Sequence, residues 1–316
     1  MGLFDKTKKI AGRIVVHFQE DGIRAAFVKR LPGGKPAVER IAFYSAGTPS
    51  AALPLEKIAK DLHGTHYNFT NLLTAGEYQL LSVDAPNVPQ NELKTALRWR
   101  LKDMLDFHVD DATIDVLDVP VDKNAPVRTH SMYAVAARNQ LIEQRQALFE
   151  NNKIALDVID IPEVAQRNIS TLLEPEGRGV ALLSFDATGG MLTVTFSGEL
   201  YLARRIDVTL QELMHSGNAQ QDACYDRITL ELQRSFDHFD RQYRHITLSK
   251  LALSPLGDAG ADLQAHLAAN LYLPVEILDL GSLLDISKAP ELKQLESQQR
   301  YFLTIGAALR HEEIAL

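Results

Sequence analysis

Three short segments carry residue types that could hold a phosphate. The first is Val15-Val16-His17-Phe18-Gln19-Glu20-Asp21-Gly22-Ile23-Arg24, the second Leu183-Ser184-Phe185-Asp186-Ala187-Thr188-Gly189-Gly190, and the third Leu251-Ala252-Leu253-Ser254-Pro255-Leu256-Gly257-Asp258. A glycine-bearing hairpin can bring backbone N–H groups close to a phosphate, and a carboxylate beside it can hold Mg²⁺ or an attacking water. Each segment is altered for that task. In the first, Phe18 or Gln19 would occupy the space phosphates need. Glu20 and Asp21 fall at the turn tip, where solvated turn residues are common. The second is the least altered: Asp186 could touch a metal, though a turn-forming aspartate is the commoner role. In the third, Pro255 removes a backbone donor.

Other constellations point to less chemistry. Asp106, Asp110, Asp111, Asp115 and Asp118 alternate along a strand and read as a solvated face, since a calcium loop needs a turn glycine that is missing here. His238 and His245 lack a metal-ligand pattern and read as surface residues. There is no Gly-x-Ser-x-Gly elbow, Walker lysine loop or His-Glu-x-x-His pair. Trp99, the single tryptophan, stands among Arg98, Arg100 and Lys102. It reads equally as a half-buried packing residue or as an anchor for a partner, because Trp and Arg are enriched at binding hot spots. The one cysteine, Cys224, excludes an intramolecular disulfide and reads as inert.

The elements that must position these residues form a repeated plan. Arg13–Phe18, Gly22–Lys29 and Ala37–Tyr44 read as a three-strand meander, with a turn at Arg30–Pro36. Leu55–Leu62 reads as a short helix and Tyr78–Val83 as a strand. Asn91–Leu105 carries Leu93, Ala96, Leu97, Leu101 and Leu105 at helical spacing. Strands at Thr113–Val119 and Met132–Ala137, a helix at Gln140–Phe149 and a strand at Ile154–Ile159 follow. Asp160-Ile-Pro-Glu163 reads as a helix start with Asp160 as its cap, running towards Leu173. From Gly179 the plan repeats: strands at Val180–Phe185, Met191–Phe196 and Leu200–Ile206, then a long helix at Asp222–Tyr243. A strand at Ile246–Leu253, a helix at Ala261–Asn270, a strand at Val275–Leu278 and a helix at Leu292–Leu309 close the chain.

Bulk properties bound the reading. At 316 residues the chain exceeds what one hydrophobic core usually serves, so two lobes or an insertion are expected. A hydrophobic share of 46% and a charged share of 23% are ordinary for a globular protein. The net charge of −8, with no basic stripe, argues against nucleic-acid binding. No apolar run is long enough for a membrane-spanning helix. The start lacks a signal-peptide core, and Lys6 stands where an acylation signal needs Ser or Thr. Met1–Lys9 reads as a frayed polar terminus, with a weak membrane-surface contact through Leu3, Phe4 and the lysines as the sharper alternative.

Several stretches, in order, resemble the PilM family of type IV pilus platform proteins, most closely the relatives that assemble the mannose-sensitive haemagglutinin pilus. They are Gln90-Asn-Glu-Leu-Lys-Thr-Ala-Leu-Arg-Trp-Arg-Leu-Lys-Asp-Met-Leu105, Phe107-His-Val-Asp-Asp-Ala-Thr-Ile-Asp-Val-Leu117, Glu231-Leu-Gln-Arg-Ser-Phe-Asp-His-Phe239, Gly306-Ala-Ala-Leu-Arg310 and the starting Gly2-Leu-Phe4 with its lysines. The resemblance implies a two-lobed α/β actin-like fold of the FtsA/PilM type, with a small α/β subdomain inserted in the first lobe. The expected division is 1–85 for the first lobe, 86–160 for the insertion, 161–177 for a helix closing the first lobe and 178–316 for the second lobe.

The resemblance also sharpens the three loops. Against the active pattern of such ATPases, Val15, His17, Phe18 and Gln19 replace glycine, acid and small residues. Ser184 stands where the acid usually does, Asp186 where a glycine does, and Ser254-Pro255 replace paired glycines. His17, Gln19, Ser184, Asp186, Gly189, Ser254 and Gly257 are therefore expected to be vestiges of a nucleotide site, with no catalytic residue, no metal and no cofactor. The implied role is a non-catalytic cytoplasmic scaffold at the inner face of the bacterial inner membrane. Its expected partner is the cytoplasmic tail of a single-span pilus-assembly protein, with Arg98, Trp99 and Arg100 as candidate contacts and the assembly motor ATPase as a second partner. The alternative is an ATP- and Mg-binding switch with little or no hydrolysis.

Overall fold

The structure, a computed structural model, describes residues 12–30, 33–45, 52–61, 67–89, 92–121, 131–215, 218–257 and 259–311. The expected contacts of Leu3 and Phe4, the tip of the Arg30–Pro36 turn and Asp258 of the third loop lie outside the described residues.

Two five-stranded sheets are built on one plan. In the first lobe, β1 (Arg13–Gln19) pairs antiparallel with β2 (Gly22–Lys29), and β2 with β3 (Ala37–Ser45). On its other side β1 runs parallel to β4 (Asn68–Leu72), which runs parallel to β8 (Leu156–Asp160). The second lobe has the order β11-β10-β9-β12-β13, from β9 (Gly179–Asp186), β10 (Gly189–Phe196), β11 (Glu199–Ile206), β12 (Leu248–Leu253) and β13 (Val275–Ile277). The central strands β1 and β9 are buried along most of their length, as expected where both faces of a sheet are covered. All but the last residue of β9 and of β10 is buried.

Strand β4 has no counterpart in the sequence reading. Its Thr70 and Asn71 look like loop residues, yet both are fully buried. Each finds an internal partner: Arg13 donates to Thr70 Oγ1 at 2.7 Å, and Asn71 Nδ2 donates to Val16 O at 3.1 Å, while Asn71 Oδ1 is buried without one. Such bonds let a polar strand sit inside a sheet.

The inserted subdomain is a three-stranded sheet in the order β5-β7-β6, from β5 (Tyr78–Asp84), β6 (Ala112–Asp118) and β7 (Ser131–Arg138). Helix α2 (Leu93–Leu101) covers it, burying Leu93, Leu97 and Leu101 against Met132, Ala134 and Ala136. This corrects the expected boundaries of 86–160. Strand β5 pairs with β7, so it belongs to the insertion and not to the first lobe. Strand β8 pairs with β4, so it belongs to the first lobe and not to the insertion. The sequence reading cut at Asp84-Ala-Pro-Asn because prolines punctuate the chain there, but register decides sheet membership.

Two helices cross between the lobes: α4 (Pro162–Ser170) and α9 (Leu295–Ala308). Their side chains join Val15 and Ala26 of the first sheet to Leu182 and Ala252 of the second in one buried cluster. At the crossing a Cβ on Gly306 would lie 2.4 Å from Ala165 O, so only glycine allows the helices to approach this closely. Asn168 Nδ2 donates to Gly306 O at 3.0 Å, fixing the same point. Ile161 is the cap residue and makes no side-chain bond, while buried Asp160 just before it accepts from Ile161 N at 2.9 Å through Oδ1 and from Arg310 Nη1 at 2.9 Å through Oδ2. Three further helices complete the frame: α3 (Asn139–Asn151) leads back into the first lobe, while α6 (Asn218–Gln242) and α7 (Ala259–Asn270) flank the second.

Candidate functional site

The first hairpin closes with Gln19 opposite Gly22 and Glu20-Asp21 at the tip. His17 points into the protein and is 2% exposed. Its Nδ1 lies 3.4 Å from Thr304 Oγ1 on α9, and 3.4 Å from the Gln19 amide nitrogen. Burial, with Arg24 and Arg145 nearby, pushes the His17 imidazole down to about 3, so it is neutral at physiological pH. Arg24 forks onto Asp21 at 2.9 and 2.6 Å. Arg145 pairs with Glu77 and lies over the Phe18 ring at 4.4 Å. Where a Mg²⁺-holding carboxylate would be needed, the hairpin offers a neutral ring flanked by two guanidinium groups.

The second hairpin is closed from beneath. Ser184 Oγ donates to Gln166 Oε1 at 2.5 Å. The Gln166 amide nitrogen reaches Leu182 O at 2.7 Å, Met191 O at 3.1 Å and Thr193 Oγ1 at 3.0 Å. This wholly buried glutamine ties α4 to the floor of the second sheet, and the sequence reading passed over it. The available signal was a lone amide among Val164, Ala165 and Ile169 on the helix that enters the second lobe. Asp186 serves its own turn, accepting from Thr188 N at 2.7 Å and Thr188 Oγ1 at 2.6 Å. The glycines serve packing. A Cβ on Gly189 would lie 2.9 Å from Ile206 O, and one on Gly190 would lie 2.8 Å from the Phe185 ring.

In the third loop Ser254 is buried and its N–H donates to Leu183 O at 2.8 Å. Pro255 offers no donor, and Gly257 makes a turn at φ +56° with open space around it. The actin-like frame implies a Mg–nucleotide at these loops, and the residues present do not fit one. The hydroxyl at Ser184 and the N–H at Ser254 are committed internally, and Arg24 and Arg145 at the first hairpin are already paired with Asp21 and Glu77. Among the described residues no group of three His, Cys, Asp or Glu side chains is placed to hold a metal. The expected nucleotide-loop positions differ in role: His17 meets α9 and Gln19 meets His17, Ser184 meets α4, and Asp186, Gly189 and Gly257 shape turns.

The inserted subdomain presents different chemistry. Trp99 is 76% exposed on α2. Its neighbours Arg98 and Arg100 are tied to backbone: Arg98 donates to Val109 O at 3.1 Å and Ala112 O at 3.3 Å, and Arg100 to Asp84 O at 2.7 Å. Of the three expected contact residues, only Trp99 is presented without such a tie. The subdomain also packs on the second lobe. Tyr78 donates to Glu163 Oε2 at 2.5 Å, and Arg205 Nη2 reaches both Tyr78 Oη at 3.0 Å and Glu163 Oε1 at 3.2 Å. Burial and the Glu163 carboxylate hold the Tyr78 phenol well above its usual range. Beside this link opens a cleft of about 390 Å³ between the inserted sheet and the β11–α6 side of the second lobe.

No family model matches the chain, and no curated protein matches it. Solved structures do. A chain of the PilM–PilN type IV pilus biogenesis complex is similar at a TM-score of 0.69 and 16% identity, over 94% of this chain and 98% of that one. A Bacteroides thetaiotaomicron protein with an actin-like ATPase fold and unknown function is similar at 0.51 and 9% identity, over 92% and 99%. The cytoplasmic domain of EpsL, an inner-membrane component of the Vibrio cholerae type II secretion system, aligns at 0.43 and 15% identity, over 66% and 76%. Among the described residues no helix is long and apolar enough to cross a membrane. With its two equivalent sheets, crossed central helices and inserted subdomain, the chain has the actin-like ATPase fold, in an arrangement similar to that of the PilM–PilN complex chain.

Proposed function

We propose that the chain is a non-catalytic scaffold of a type IV pilus assembly platform, of the mannose-sensitive haemagglutinin kind, working at the inner face of the bacterial inner membrane. It binds the cytoplasmic tail of a single-span assembly protein through the α2 surface of the inserted subdomain. The observation that carries this reading is Trp99, a large aromatic side chain left 76% exposed on a helix whose neighbouring Arg98 and Arg100 are tied to backbone. Exposed aromatics of this kind act as anchors in interfaces. Charge supports it as well. Segments flanking a membrane span on the cytoplasmic side carry excess Lys and Arg. The same subdomain exposes Asp103, Asp106, Asp110, Asp111 and Asp115. The loss of catalysis rests on the three loops, whose polar groups are bonded internally.

The test is calorimetric titration of the full chain with synthetic cytoplasmic tails of single-span pilus-assembly proteins. A tail that binds the wild type and binds Trp99→Ala at least about tenfold more weakly is the expected result. Absence of binding to every tail by a folded sample overturns the reading. A melt with millimolar MgATP separates the alternative. A ligand that binds only the native state raises the melting temperature, so a clear rise would favour the nucleotide switch.

A further inference from the structure

The cleft between the inserted sheet and the second lobe is separate from the α2 surface and differs from it in charge. The chain has 41 acidic against 33 basic residues, yet the cleft's described lining includes Arg204, Arg205 and His238 and no Asp or Glu. Arg205 is partly committed to Glu163 and Tyr78. Arg204 is exposed and forms no ion pair among the described residues. The phenols of Tyr133 and Tyr243 also line the cleft, and burial raises both above their usual range, so they remain O–H donors at neutral pH. Among its described lining residues the cleft thus holds two guanidinium groups and several hydrogen-bond donors, and no carboxylate.

Its long wall is a sheet edge. Strand β11 is the last strand of its sheet, so one backbone edge lacks a partner strand. Tyr133 marks that edge: its Oη accepts from Ala203 N at 3.0 Å and lies 3.5 Å from Tyr201 O. Backbone groups alternate sides along a strand, so the N–H and C=O of Arg205 face the same way as those of Ala203. Such an edge takes an added extended segment through main-chain hydrogen bonds, while neighbouring side chains select its sequence.

We propose that this cleft binds an extended peptide segment of a second partner protein, one carrying Asp or Glu side chains that pair with Arg204 and Arg205 while its backbone bonds to the β11 edge. The membrane tail is not this occupant, because its expected charge is positive. The scaffold then joins two partners of opposite charge on two faces of one subdomain.

The experiment selects a library of random linear dodecapeptides on the immobilised full chain and measures the synthesised winners by calorimetry. Arg204→Glu is the test variant and Arg300→Glu, another exposed arginine, the control. The expected winners are enriched in Asp and Glu. Arg204→Glu weakens them about tenfold or more, Arg300→Glu leaves them within about twofold, and lysine-for-glutamate versions prefer the Arg204→Glu protein. Three outcomes overturn the proposal. They are no recovered binder, binders without acidic excess, and binders lost in Trp99→Ala but not in Arg204→Glu. Equal melting temperatures for wild type and Arg204→Glu show that the comparison is made between folded proteins.

Discussion

The two hairpins occupy equivalent places in equivalent sheets, yet they are filled in opposite ways. The β1–β2 hairpin turns an imidazole inward against α9 and keeps it uncharged. The β9–β10 hairpin rests on an amide from α4 that is bonded on every side. In both cases the group beneath the hairpin belongs to one of the two crossing helices. The frame of a phosphate-binding fold can therefore persist on packing alone, since each hairpin now serves to seat a helix. The first loop carries His17 and Phe18 in place of an acid or small residues. The second retains glycines, but for steric reasons.

The contrast can be tested at the glycines first. Gly22 has φ +149°, and a Cβ there would lie 2.2 Å from Tyr44 O, against 2.9 Å from Ile206 O at Gly189. Gly22→Ala combines backbone strain with a severe backbone clash and is expected to cost about 3–5 kcal/mol. Gly189→Ala is expected to cost about 2 kcal/mol, so denaturant melts of the pair should rank the first hairpin as the more sensitive. Equal losses would break the contrast.

Gln166→Leu comes next. It leaves the buried Ser184 hydroxyl without its acceptor and removes a donor from Leu182 O and Met191 O, with an expected cost of about 2–4 kcal/mol. His17→Leu removes only long contacts of 3.4 Å and should cost less than about 1 kcal/mol at pH 7. The last effect is a slope with pH and not a fixed loss. His17 titrates near 3 in the folded chain against 6.5 unfolded. Between these values the unfolded chain binds a proton that the native one refuses. Stability therefore falls on acidification through this window, by up to about 1.4 kcal/mol per pH unit, and is unaffected by His17 above it. The difference between wild-type and His17→Leu stability profiles isolates this slope, and parallel profiles would show that His17 is not buried neutral.

Much of the frame was legible because periodicity reports burial. Runs such as Ile14-Val15-Val16 and Val180-Ala-Leu-Leu183 announce central strands, and Leu93, Leu97 and Leu101 announce the buried face of α2. What was not legible depends on partners distant in the chain. Asn68–Leu72 is a strand because Arg13 and Val16 receive its polar side chains, and no local pattern shows that. Asp160 accepts from Ile161 N at the helix start, as its place suggests, but its second oxygen is claimed by Arg310, 150 residues on. The site split in the same way. Ser184 and Pro255 are visible as departures from a pattern. The glutamine that occupies the hydroxyl of Ser184 is visible only once α4 is seen lying beneath the sheet.

The link among Tyr78, Glu163 and Arg205 has a mechanical consequence. Its three members come from the inserted sheet, a crossing helix and the second sheet. Shearing the inserted subdomain away from the second lobe must break both bonds of Tyr78 together, and it leaves a carboxylate that is 4% exposed with Arg205 as its remaining partner. A pull delivered to the insertion therefore passes through Glu163 into the helix that meets Gly306. Tension at the outer face is carried to the centre of the molecule along a short, stiff path of polar contacts.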